Sequence, residues 1–154
     1  MPTVTTNYFR QELSVGNINL SGDDFAVALM NEYVSSSSEQ TLKSVSAWSE
    51  VSAFENSAVG YSAAPISSDS ISVITGNIIS WDGININWSS VTLSAAGHTV
   101  IRVSDGLVVG FVQYPSVVES VNGDITLQWN ANGIMNIIWT FLYIKVELEK
   151  YHKI

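Results

Sequence analysis

Two histidines, His98 and His152, and a few carboxylates are the residues of this chain best suited to acid–base or nucleophilic chemistry. A serine hydrolase would need His98 beside an activated hydroxyl and an orienting carboxylate, yet no Gly-x-Ser-x-Gly elbow occurs. His98 opens an alternating apolar stretch next to Gly97, where a strand histidine making one ordinary hydrogen bond is the simpler reading. Paired carboxylates in a cleft could hydrolyse a glycoside, and the candidates are Asp23 with Asp24 and Glu50 with Glu55. Adjacent Asp23 and Asp24 point to opposite sides of extended chain, and after Ser21-Gly22 they are good turn residues. Asp23, Asp24 and Asp82 could offer oxygens to calcium, but none lies in the spaced pattern of a calcium loop. Phosphate-cradling glycine loops are absent. These residues therefore assign no catalytic, cofactor-binding or metal-binding set, and no cofactor is expected.

Tryptophan is the other residue with recognition chemistry, because an exposed indole can stack on a sugar. Trp48, Trp88 and Trp129 fall on the apolar side of their local patterns and are expected in the core. Trp81, beside Asp82-Gly83, is the candidate exposed aromatic.

The elements that would position these residues read mostly as strands. Tyr8–Leu13 is expected as a short helix stopped near Gly16. Asn17–Leu20 and Phe25–Met30 read as strands around a Ser21–Asp24 turn, the second apolar on both faces and so central. Ser35–Ser38 reads as a polar loop. Leu42, Val45 and Trp48 at three-residue spacing predict one amphipathic helix within Glu39–Ser49.

From Gly60 the period becomes two. Ile71 and Val73 alternate with serines, Ile78–Trp81 leads to a turn, and Ile84, Ile86 and Trp88 share a face. Asp105-Gly106 links His98–Val103 to Leu107–Tyr114 as a hairpin. Asn122-Gly123 and Asn132-Gly133 read as further turns, with Ile125, Leu127 and Trp129 facing inward between them. Short alternating strands with regular turns predict an all-β fold, an antiparallel β-sandwich of possible jelly-roll type with one or two short helices.

Length and composition fit one domain. The 154 residues are 46% hydrophobic and 13% charged, a balance that builds a core and argues against disorder. Acidic residues outnumber Lys and Arg by 14 to 6, so the net charge of −8 disfavours nucleic acid and anionic membrane surfaces as partners. The absence of cysteine excludes disulfides and thiolate metal sites. The start of the chain lacks the basic patch and apolar run of a signal peptide. The apolar stretch from Ile134 to Ile144 contains Asn136 and falls short of the ~20 residues a spanning helix needs. The expectation is synthesis and retention in the cytosol until something assembles it.

Residues 1–139 form the expected sandwich domain, and 140–154 a C-terminal strand or arm continuing from it. Leu142, Ile144, Val146 and Leu148 alternate with Phe141, Tyr143, Lys145 and Glu147 at strand period. Such a strand either closes the home sheet or adds to a neighbour's edge. Phe141, Leu142, Tyr143, Ile144, Val146 and Leu148 are the candidate intersubunit contact.

The run from Asn122 to Ile134, Asn-Gly-Asp-Ile-Thr-Leu-Gln-Trp-Asn-Ala-Asn-Gly-Ile, resembles the closing motif of a family of small tailed-phage structural proteins. Earlier pieces follow in the family's order: Gly16-Asn17-Ile18-Asn19-Leu20, then Asp23-Asp24-Phe25-Ala26-Val27-Ala28-Leu29, Gly60-Tyr61, Asn87-Trp88-Ser89 and Thr99-Val100-Ile101. The likeness runs from the first helix to Ile134. Two features depart from it: the short Ser104–Gly106 link, where relatives often carry a longer loop, and the segment after Trp139. The resemblance implies a virion part without catalytic residues, such as a capsid cement or decoration protein, or a head-fibre, neck or tail component. Its implied partners are the major capsid protein or another virion protein, and further copies of itself. A carbohydrate-binding module using Trp81, and a glycosidase or esterase using the carboxylates or His98, are the competing readings.

Overall fold

The structure, a computed structural model, describes residues 3–76, 78–139, 144–148 and 152–153, with backbone alone for 75, 139 and those from 144 onward. The first strand, β1 (Thr3–Thr5), leads into helix α1 (Asn7–Ser14). Thr6 caps that helix: its hydroxyl oxygen accepts from the Phe9 N–H at 3.2 Å and donates to the Val108 carbonyl at 2.6 Å. The cap thus fixes both the helix start and its position on the sheet. Gly16, at φ +80°, ends the helical segment.

Asn17–Leu20 is not a strand. Ile18 and Leu20 do point inward, but the local backbone bonds go to a turn, with Asn19 N–H on the Asp23 carboxylate and Asp23 N–H on the Asn19 carbonyl. Those bonds leave no ladder to form. The chain then enters β2 (Phe25–Met30), buried at every residue. Phe25, Val27 and Leu29 face one hydrophobic cluster, while Ala26, Ala28 and Met30 face another. This two-sided burial is what the continuous apolar run predicts.

The second cluster is roofed by helical turns where the sequence reads as one loop and one helix. Ser35 and Ser36 lie in helix α2 (Tyr33–Ser36), and Ser38 caps helix α3 (Glu39–Ser44) by accepting from the Thr41 N–H at 3.1 Å. The serine run therefore divides two helices instead of forming a loop. The expected helix to Ser49 stops at Ser44 and resumes as 3-10 turns at Trp48–Glu50 and Ser52–Phe54.

The remaining strands are β3 (Ala64–Pro65), β4 (Ser70–Thr75), β5 (Ile78–Asp82), β6 (Ile86–Arg102), β7 (Val108–Trp129), β8 (Met135–Trp139), β9 (Ile144–Leu148) and β10 (His152–Lys153). One antiparallel sheet runs β1-β7-β6-β2-β3, with β10 also on β7; the other runs β4-β5-β8-β9. The main core lies between them, giving an all-β, sandwich-like architecture.

The long β6–β7 ribbon is shaped by irregularities. Asn122-Gly123 is not a turn: β7 runs straight through it. Register shifts flank Val91, with Ser90 (φ 56°) on one strand and Asn122 (φ 50°) on the other. Each strand holds one extra residue, so the second bulge restores the register that the first displaced. A larger shift between Ala95 and Gly97 lies opposite Pro115, which has no N–H for the ladder. Gly97 is required there, since a Cβ would stand 2.3 Å from the Val112 carbonyl oxygen. Among the described residues no helix is long and apolar enough to cross a membrane.

Candidate functional site: an open sheet edge

Of the residues with catalytic potential, Asp23, Glu50, Glu55 and His98 are dispersed into separate bonds that hold the fold. The Asp23 carboxylate accepts from the Asn19 N–H at 3.0 Å and from Arg102 Nη1 at 3.1 Å, while Asp24 is exposed beside it. Arg102 also binds both oxygens of Asp105, at 3.0 and 2.8 Å, and donates to the Asn17 carbonyl at 2.8 Å. Hydrogen bonding to Arg102 holds the Asp105 carboxyl below its usual range. This clamp ties the α1–β2 loop to the β6–β7 hairpin. It was not visible in sequence because Asn17, Asp23 and Arg102 are far apart along the chain.

Glu50 folds back on its own turn, accepting from the Ala47 N–H at 2.8 Å and from the Ser46 N–H and hydroxyl at 2.9 and 2.8 Å. Those bonds, the Ala47 N–H foremost, lower its pKa. Glu55 accepts instead from the Tyr61 hydroxyl at 3.1 Å, and that hydroxyl oxygen accepts from the Leu29 N–H at 2.7 Å. Burial pushes the Tyr61 phenol up. The two glutamates thus serve separate structural roles. Among the described residues no group of three or more His, Asp or Glu could hold a metal ion, and Asp82 bonds its own neighbour, Gly83 N–H, at 2.8 Å.

His98 is a buried strand residue whose Nδ1 lies 2.9 Å from the Tyr114 hydroxyl, with the Trp129 ring edge-on at 5.9 Å. Burial raises the Tyr114 pKa well above that of a free phenol. The arrangement is a packed polar pair inside the core.

Trp81 is the clear correction. It is fully buried, meets Phe25 edge-on at 4.9 Å and donates its indole N–H to Asp69 at 3.1 Å. The turn residues after it exit the core, but its side chain alternates inward. Trp88 is buried too and bonds the Ser62 carbonyl, whereas Trp48 and Trp129 are half-buried against the core.

The surface feature that stands apart is β4. Its residues Ile71, Val73 and Ile74 are 42%, 69% and 40% exposed, on a strand without a charged residue. Among the described residues, β4 hydrogen-bonds only to β5. Its register sets Ile71 opposite Trp81 and Val73 opposite Ile79, and the next strand continues with Met135 and Ile137. Two cross-strand apolar rows therefore begin inside the core and run out into solvent at β4. The sequence signal was the alternation of Ile71 and Val73 with serine, which reads as half-buried; alternation does not report how far the face is covered, and here both side chains are largely exposed.

The other edges are arranged differently. On β3 only two residues pair, one of them Pro65. β1 has β7 on one side and β9 close by. The candidate C-terminal contact lies partly outside the described residues, namely Phe141, Leu142 and Tyr143. Ile144, Val146 and Leu148 lie on β9, whose backbone pairs antiparallel with β8 in the home sheet, Trp139 opposite Ile144 and Met135 opposite Leu148.

Comparison with protein-family models, with curated proteins and with solved structures finds no match to this chain.

Proposed function

We propose that this chain is a non-catalytic structural protein of a phage particle, most specifically a capsid cement or decoration protein that binds the major capsid shell. The observation that carries the non-catalytic reading is the engagement of Asp23, Glu50, Glu55 and His98 in separate fold-holding bonds. The virion reading rests on the ordered motifs from Gly16 to Ile134. A neck, tail or head-fibre position uses the same properties. The burial of Trp81 removes the aromatic platform on which a carbohydrate-binding reading depended.

As a cement protein it would act by burying edge strands and apolar patches against the shell and its own copies, and the symmetry of a shell repeats each site many times. Weak edge and patch contacts then add through avidity. The net charge of −8 suits a basic protein surface and disfavours contact with the packaged nucleic acid. In this reading the protein is made in the host cytoplasm and resides in the virion, with the C-terminal segment as a further contact to shell or copy.

Co-sedimentation of the purified chain with capsid shells of its phage tests the proposal. Saturable binding at a fixed ratio to the shell protein is expected. Failure to bind shells, together with absence from the neck and tail fractions, would overturn it.

A further inference from the structure

We infer that β4 is a self-association strand: two copies pair their β4 edges antiparallel about a two-fold axis through Ser72. The inference does not rest on the virion reading, since association in solution and presence on a particle are measured separately.

Three observations lead to a second copy as the occupant. The first is electrostatic. Two chains of net charge −8 repel each other, and they approach at least cost where no charge is present. β4 is such a place, six residues of Ser, Ile, Val and Thr; the flanking Asp69 is turned back onto the Trp81 indole, and Asp82, opposite Ser70 on the inner neighbour β5, accepts from the Gly83 N–H.

The second is register. Antiparallel pairing about a two-fold axis keeps each face of the sheet on the same side, so residues of like parity must oppose. An axis through Ser72 sets Ile71 against Val73 of the second copy, and Val73 against its Ile71. The two open rows, Ile71-Trp81-Met135 and Val73-Ile79-Ile137, are then each continued by the other row of the second molecule. The result is one continuous eight-stranded sheet with its apolar rows closed at the centre. Any other partner would have to present a matching pair of rows at the same spacing.

The third is the state of the strand itself. An uncharged, β-branched edge with open backbone donors and acceptors is the kind that natural proteins cover or blunt. No lysine, proline or inward-pointing charge blunts β4. A pairing of this length is small for a specific interface, so the dimer should be concentration-dependent in solution.

Sedimentation of the full chain across a dilution series, with three variants, tests the inference. The wild type should reach twice the 16.7 kDa chain mass, and Val73→Lys should stay monomeric with an unchanged circular dichroism spectrum. Val121→Lys, at a valine 84% exposed on β7, should dimerise as the wild type does. The cysteine-free background adds a test of register. A two-fold axis through Ser72 places the two Ser72 residues opposite each other, within disulfide reach, while the two Ser70 residues stand about 13 Å apart. Ser72→Cys should therefore give a disulfide-linked dimer under mild oxidation and Ser70→Cys should not. A wild type that is monomeric throughout, an odd-numbered assembly, a dimer untouched by Val73→Lys, or equal cross-linking of both cysteine variants overturns the inference.

Discussion

Ile71 and Trp81 face each other across the β4–β5 ladder, yet Trp81 is fully buried and Ile71 is 42% exposed. The core therefore ends one strand short of the sheet that builds it. Trp81 is covered by Phe25, and the apolar row continues past it to the part-exposed Ile71. The same geometry makes Trp81 a structural residue and β4 an associating one.

The Trp81 indole N–H has its partner in Asp69 at 3.1 Å. Replacing Asp69 by Ala leaves a buried donor unpaired and should cost about 1–3 kcal/mol in urea unfolding. In a Trp81→Phe background, which has no donor, the same Asp69→Ala change should be close to neutral. Equal costs in both backgrounds would show that Asp69 acts otherwise.

Much of this architecture was legible in the sequence, and the reasons are local. The two-sided apolar run at Phe25–Met30 has to be a central strand, and Asp105-Gly106 has to turn between two alternating runs. Asn122-Gly123 misled because the same dipeptide that makes a hairpin also accepts the left-handed backbone of a bulge. Trp81 misled because a turn in sequence says nothing of which way the residue before it alternates. Asn17–Leu20 has a strand's pattern of inward residues, but Asn19 and Asp23 take its hydrogen bonds. The open edge at β4 was hidden for a different reason: alternation reports which residues share a face, and only the packing of the opposite sheet decides whether that face is covered.

Gly97 is set where a side chain has no room. A Cβ there would meet the Val112 carbonyl oxygen at 2.3 Å and Val34 Cγ1 at 3.0 Å. Gly97→Ala should force the β6–β7 pair apart and lower stability by about 1–3 kcal/mol, read as a fall in melting temperature. Gly16→Ala, with open space around it but a φ of +80°, should lower it through backbone strain alone.

Acid should weaken the clamp at Arg102. Asp105 has its pKa lowered below the ordinary 3.8 chiefly by the hydrogen bond from Arg102. A carboxyl whose folded pKa is depressed stabilises above its unfolded value and loses that contribution as pH falls through the folded one. Arg102→Gln should therefore flatten the decline in melting temperature below pH 3.8. The Asp105 side chain is 49% exposed, so after solvent screening the ion pair should account for no more than about 1 kcal/mol. The lowered Glu50 pKa is independent of Arg102 and should leave a residual acid dependence in the variant.

Quantitative mass spectrometry of purified virions decides whether this chain is a structural part of a phage particle. Peptides of this chain should copurify with intact particles at a fixed ratio to the major capsid protein, with hundreds of copies per particle for a shell-binding protein and a few for a neck or tail part. Its absence from purified virions, with the chain recovered only in the soluble lysate, would rule out a virion role.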